Sequence, residues 1–261
     1  MSATRRIGSE FRAAARSFLR RRTAVFFTFF FPVLLVVIFG ALVQTQPTGG
    51  GLFSEPAGYY LPGYLAVVVL FTPLSRVGSE IARHRDGNRF EKLATTPLRR
   101  WEWLLGGTLV NVAVIGLAGL LILGLSVAVT GATVPVSAAT LLLVPYVALG
   151  VALFCGLGAV LGSLADSQDG VIAASNAVAL PLLFLSDTFV TLPLLPEWFR
   201  PLVLLSPLTY FARGVRAITY GETTALPVAV GVAPSVAYLA ALAVLSLVFF
   251  AVGAASVPRT D

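Results

Sequence analysis

The sequence predicts an all-α membrane protein with six transmembrane helices, and three observations predict it. Of 261 residues, 57% are hydrophobic and 11% charged, against about 25% charged in soluble domains. Mean hydropathy is +0.89. The apolar residues fall in long unbroken runs, whereas a transmembrane β-barrel would show alternating segments of about ten residues. In lipid the backbone must satisfy itself, so long apolar runs become helices.

Composition narrows the chemistry. Twenty-four glycines and 16 prolines suit a membrane bundle, where glycine lets backbones approach and neighbouring helices repair proline breaks. The single cysteine, Cys155, excludes an intrachain disulfide or thiolate cluster, and the single histidine, His84, cannot anchor a two-histidine metal site. Net charge is +6. The charges sit in short loops and no soluble domain is predicted, so the lipid membrane is the expected partner and nucleic acid is not.

Residues 1–22 carry seven arginines. At helical spacing Ile7, Phe11, Ala14 and Phe18 share one stripe, with Arg5, Arg12, Arg16 and Arg20 opposite. That pattern predicts an amphipathic helix in the membrane interface, its arginines toward lipid phosphates or an acidic partner. A cleaved leader is not expected, because the apolar run that follows is long and no small-residue cleavage site comes directly after it. This run, residues 23–43, is 21 residues, about 31 Å as a helix and long enough to span. Pro32 is placed to kink it. Residues 44–58, with Pro47, Gly49, Gly50, Gly51 and Pro56, read as a loop.

The second span is predicted over 59–79, with tyrosines at its start and Arg76 near its far end, where it can snorkel. Residues 80–103 are the one long polar island and read as a loop between spans. Further spans are predicted over 104–129, 138–164 and 171–186 and within 231–257. Between the last two, residues 187–230 are rich in proline and aromatics. One domain, 1–261, is expected. Of the 18 basic residues, 15 fall on the side of the amino-terminal segment, the polar island and the tail, and three (Arg200, Arg213, Arg216) on the other. The positive-inside rule then places both termini and the island in the cytoplasm of a multi-pass plasma-membrane protein.

The predicted spans hold almost no ionisable residues; Arg76 and Asp187 lie at their ends. Ion-coupled transporters and pumps usually carry charged or unwound polar groups near the midplane. Asn111 and Asn176 are the polar exceptions, read as interhelical hydrogen bonds. No carboxylate pair, no serine near a histidine and no phosphate-cradling Walker loop is present. The chain is therefore read as no enzyme, with no ATPase site and no cofactor of its own. The island, with mixed charges around Phe90, Leu93 and Trp101, suits a short helix docking on a soluble partner.

Two stretches carry a resemblance. GNRFEKLATTPLRRWEWLLG, Gly87 to Gly106, resembles the cytoplasmic segment after the second span of ABC type-2 permeases, the membrane subunits of drug, lipid and polysaccharide exporters. Glu91, Leu93, Thr96, Pro97 and Leu98 match its pattern; Phe90 replaces a leucine, and Asn88 and Arg89 stand where Gly-Thr is usual, a place for the turn to depart. LPEWFRPLVLLSPLTYFARGVRAITYG, Leu195 to Gly221, resembles the outer segment between spans five and six, through Leu195, Pro196, Trp198, Pro207, Leu208, Thr209, Tyr210 and Arg216, with Ser206 in the usual asparagine place. The resemblance implies a permease subunit of an ATP-binding-cassette exporter, paired with a second permease as a homodimer or heterodimer. A separate cytoplasmic ATPase subunit would bind the ATP and Mg. It further implies an ATPase-coupling interface at Arg85, Arg89, Phe90, Glu91 and Leu93, and re-entrant outer helices around Pro196, Trp198, Pro207, Tyr210 and Arg216. The alternatives are an ion-coupled secondary transporter or channel, and a non-transport membrane scaffold.

Overall fold

A computed structural model describes residues 2–42, 55–135, 137–221 and 231–258. Most of the predicted 44–58 loop, residues 222–230 of the outer segment and the last three residues of the tail lie outside the described residues. The described chain is helical, without strands. In order it forms α1 (Ala3–Arg20), α2 (Arg22–Val36), α3 (Ala57–Asp86), α4 (Arg89–Ala94), α5 (Arg100–Thr130), α6 (Leu143–Leu164), α7 (Gln168–Leu185), α8 (Pro207–Thr219) and α9 (Pro234–Ser256). A π-helical stretch, Val37–Leu42, continues α2, and a 3-10 turn, Ala138–Leu142, leads into α6. Among the described residues six helices are long and apolar enough to cross a membrane: Arg22–Gly40, Ala57–Asp86, Arg100–Thr130, Ala138–Leu164, Gln168–Leu185 and Pro234–Ser256.

The polar island is mostly helix rather than loop. Residues 79–86 hold no glycine or proline, and Glu80, Ala82 and Arg83 are good helix formers, so α3 runs to Asp86. With 30 and 31 residues, α3 and α5 are each about 45 Å long, beyond the roughly 30 Å of a hydrocarbon core. Both therefore have turns to spare, and those turns carry α4 between them. Pro32, Pro62, Pro73 and Pro181 all lie inside helices.

The centre of the bundle is α3, buried along most of its length, packed with α6, α7, α5 and α8. Its closest approach to α6 is made by glycines. A Cβ at Gly158 would fall on the Leu74 carbonyl, and one at Gly162 on the backbone of Gly78, which is the small-xxx-small arrangement of membrane helix pairs. Gly156 and Gly253 bring α6 and α9 into backbone contact in the same way. Helix α1 packs along α5: Ile7, Phe11 and Ala14 are half-buried and Phe18 buried, with Arg5, Arg12, Arg16 and Arg20 exposed. Its apolar stripe thus covers protein. The predicted interhelical amides are not formed: Asn111 Nδ2 donates to Gly107 O in its own helix at 3.0 Å, and Asn176 is exposed on α7.

Candidate functional site

Two clusters lie at opposite ends of the bundle. At the first end α3 stops at Gly87, and Asn88 takes φ +49°, the left-handed conformation that asparagine tolerates better than most side chains. This reverses the chain into α4, where the resembling family has glycine. The reversal turns Phe90 inward. Its ring lies 5.5 Å from His84 and 5.6 Å from Trp103, and His84 and Trp103 are 5.5 Å apart, a three-ring contact joining α3, α4 and α5. Arg89, Glu91 and Lys92 remain exposed on α4, as does Trp101 at the start of α5, and Leu93 is half-buried. The coupling residues read from the sequence thus divide in role: Phe90 anchors α4 to its own chain, and Arg89 and Glu91 face outward. Arg85 reaches back, its Nη2 donating to Ala165 O at 2.5 Å in the turn between α6 and α7.

The same end holds an ion pair that the sequence reading did not single out. Glu102, wholly buried, accepts from Arg6 Nε at 2.8 Å and Nη2 at 2.5 Å, and from the Arg99 backbone N–H at 2.9 Å. One carboxylate therefore caps α5 and clamps α1 onto it. Glu at the third position of a helix is a readable capping signal; its arginine partner was one of seven in a basic segment. Arg100 Nη1 ties the same corner to α9 through Ala255 O at 2.8 Å. Nearly two turns into α5, Gly106 leaves room for Glu10, whose Cγ would meet a Cβ there. Burial, then the charge of Glu80, pushes the Glu10 carboxyl up to about 7. Between the linker after α4 and the end of α9 lies an open groove of about 1000 Å³, lined by Leu93, Pro97, Leu98, Trp101 and Ala254 among others.

The second end is organised by buried charge. Asp187, just past α7, accepts from Arg213 Nε at 2.6 Å, and Arg216 Nη1 lies 3.8 Å from the same oxygen. Arg216 Nη2 donates to the carbonyls of Asp187 (3.0 Å) and Thr188 (3.2 Å), and its guanidinium sits 4.0 Å above the Tyr59 ring. Arg213 also reaches Tyr238 OH at 3.4 Å. All three charged residues are under 10% exposed. The spans were expected to hold almost no ionisable residues, and the charge is buried beside them instead: Arg213 and Arg216, three apart on α8 in the outer segment, are turned inward where α8 packs on α3 and α9. Of the outer residues read from the sequence, Pro207 begins α8 and is buried, and Tyr210 OH donates to Leu204 O at 2.9 Å. Trp198 and Pro196 are exposed. Ser206 donates to Leu182 O at 2.7 Å, holding α8 to α7.

This layout pairs a helical bundle with a short outward-facing helix at one end and a charge-locked segment at the other. A family model described as "ABC-2 type transporter" matches residues 7–220, running from α1 through both clusters. The chain belongs to the ABC-2 type transporter family. It is a multi-pass membrane permease subunit of an ATP-binding-cassette exporter. In such a transporter the membrane subunit works with an ATPase partner, to which ATP and Mg belong. This ABC-2 permease is also 29% identical over 196 residues to the daunorubicin resistance ABC transporter permease protein DrrB1 of Streptomyces coeruleorubidus, covering 72% of this chain and 67% of that one.

Proposed function

We propose that this permease exports a drug-like amphipathic molecule, driven by a separate ATPase subunit that docks on α4, and that it works paired with a second permease. Lipid and glycan cargoes are the other classes for which such permeases are built. A drug-like cargo is favoured by the drug-resistance name of the relative. The α4 end, with its excess of arginine, lies in the cytoplasm in this reading, together with both termini.

The observation that carries the coupling role is the division of labour on α4. Arg89, Glu91 and Lys92 are exposed on a helix whose Phe90 is held between α3 and α5. A push on the exposed face is delivered through Phe90 to Trp103 and the start of α5. From there the Glu102 to Arg6 clamp carries it to α1. The outer segment then acts as the cap of the path, with Pro196 and Trp198 at its surface and Arg216 locking its root. The chain itself contributes no ATPase chemistry in this scheme.

Glu91→Arg tests it. Reversing one interface charge is expected to weaken ATPase association about tenfold while leaving the folded permease intact, because Glu91 is exposed. Undiminished association and transport would remove Glu91 from the interface.

A further inference from the structure

Between α1, α2 and α3 lies a groove of about 360 Å³. One wall is apolar: Phe27 and Phe31, one turn apart on α2 and 57% and 44% exposed, face Phe71 of α3 across it. The other wall is polar, with Thr72 and Ser75 on α3 leading to Arg76, and with Arg21 on the α1–α2 side. Arg76 is half-buried, with its guanidinium 4.1 Å from the centre of the Phe18 ring. Its Nη1 is wholly buried and has no hydrogen-bond partner among the described residues. Glu80 also lines the groove, one turn further along α3, but no carboxylate among the described residues is within ion-pair distance of Arg76.

A guanidinium at membrane depth is costly unless paired, and a ring face offsets only part of that cost. Contact with Phe18 fixes its depth near the corner where α1 ends and α2 begins, at Arg20 to Arg22. That corner is where an interfacial helix meets a span, the level of lipid phosphates. Two cations against one carboxylate leave the groove net positive there, and its aromatic wall runs from that level toward the hydrocarbon. We propose that the groove is a binding site for one anionic phospholipid, its phosphate held by Arg76 and Arg21 and its acyl chain laid along Phe27 and Phe31. Arginine suits this task because its planar donors match a phosphate bidentately. Bound there, the lipid braces the corner between α1 and α2, independently of what the permease carries.

The test uses the full chain in phosphatidylcholine nanodiscs doped with photoactivatable phosphatidylglycerol, with crosslinked peptides mapped by mass spectrometry. Crosslinks on the α2 peptide holding Phe27 and Phe31 are expected. They should exceed those from an equally labelled phosphatidylcholine and fall about tenfold in Arg76→Gln, the loss of one charge-assisted contact. Arg21→Gln, an exposed position that does not threaten folding, should also reduce them, whereas Arg12→Gln on the solvent side of α1 should not. Equal labelling by phosphatidylcholine, or labelling unchanged in both Arg76→Gln and Arg21→Gln, would overturn the proposal. Displacement by inorganic phosphate alone would assign the cations to a free anion and overturn the lipid reading.

Discussion

Glu10 packs against Gly106 beneath α1, facing Glu80 and His84 of α3, Arg89 and Lys92 of α4, and Trp103 of α5. Its carboxyl is raised from 4.5 to about 7, so the neutral form is favoured in the folded state. The contribution of Glu10 to the docking of α1 is fully present at pH 4.5 and is lost as pH rises to about 7. The accessibility of single cysteines introduced at exposed positions of α1 should therefore rise across that window, and Glu10→Gln should flatten the profile. A wild-type profile that stays flat would show that Glu10 does not hold α1. Phe90→Ala belongs to the same scale. Removing the central ring of the contact with His84 and Trp103 should cost about 3–5 kcal/mol, read as a lowered Tm, with coupling lost alongside. At this scale the sequence was only partly legible. Arg89, Glu91 and Phe90 stood out because a polar island in an apolar chain must do something in water. Which of them faced inward depended on the left-handed turn at Asn88, and no periodicity of a six-residue helix could reveal that.

Helices here are held by two devices, glycine contacts and buried charge. Gly253→Leu would drive a side chain into the Gly156 backbone and separate α6 from α9. The expected loss is about 1–3 kcal/mol or more, whereas the same change at Gly116, with open space around it, should leave thermal stability unaltered. At the other end, Asp187→Asn leaves two buried guanidiniums facing an uncharged partner. A cost of about 3–5 kcal/mol is predicted, with α8 becoming susceptible to protease, and Arg213→Gln in the same background should recover part of it. The spans themselves were legible, because a helix in lipid must be a long apolar run. The charge network was not: Asp187 and the α8 arginines lie 26 and 29 residues apart, and only tertiary packing turns a proline-rich outer stretch into a buried element. Glu102 fell between these cases, readable as a cap and unreadable as a clamp.

Across the whole molecule the two ends are joined by α3, which meets Arg216 through Tyr59 at one and Phe90 through His84 at the other; in the proposed coupling, movement at the α4 end passes along it. The prediction at this scale is that transport follows ATP hydrolysed by the partner. The shortage of ionisable groups in the spans pointed there from the sequence, although the buried Asp187, Arg213 and Arg216 weaken that argument and leave the family relationship as the stronger support. The most direct measurement is drug movement in sealed vesicles containing the full permease and its ATPase partner, oriented with α4 outward. Accumulation of a fluorescent amphipathic drug that needs ATP, and that stops when the Walker lysine of the partner is replaced, is the predicted result. Accumulation without ATP, driven by a proton or sodium gradient, would contradict it.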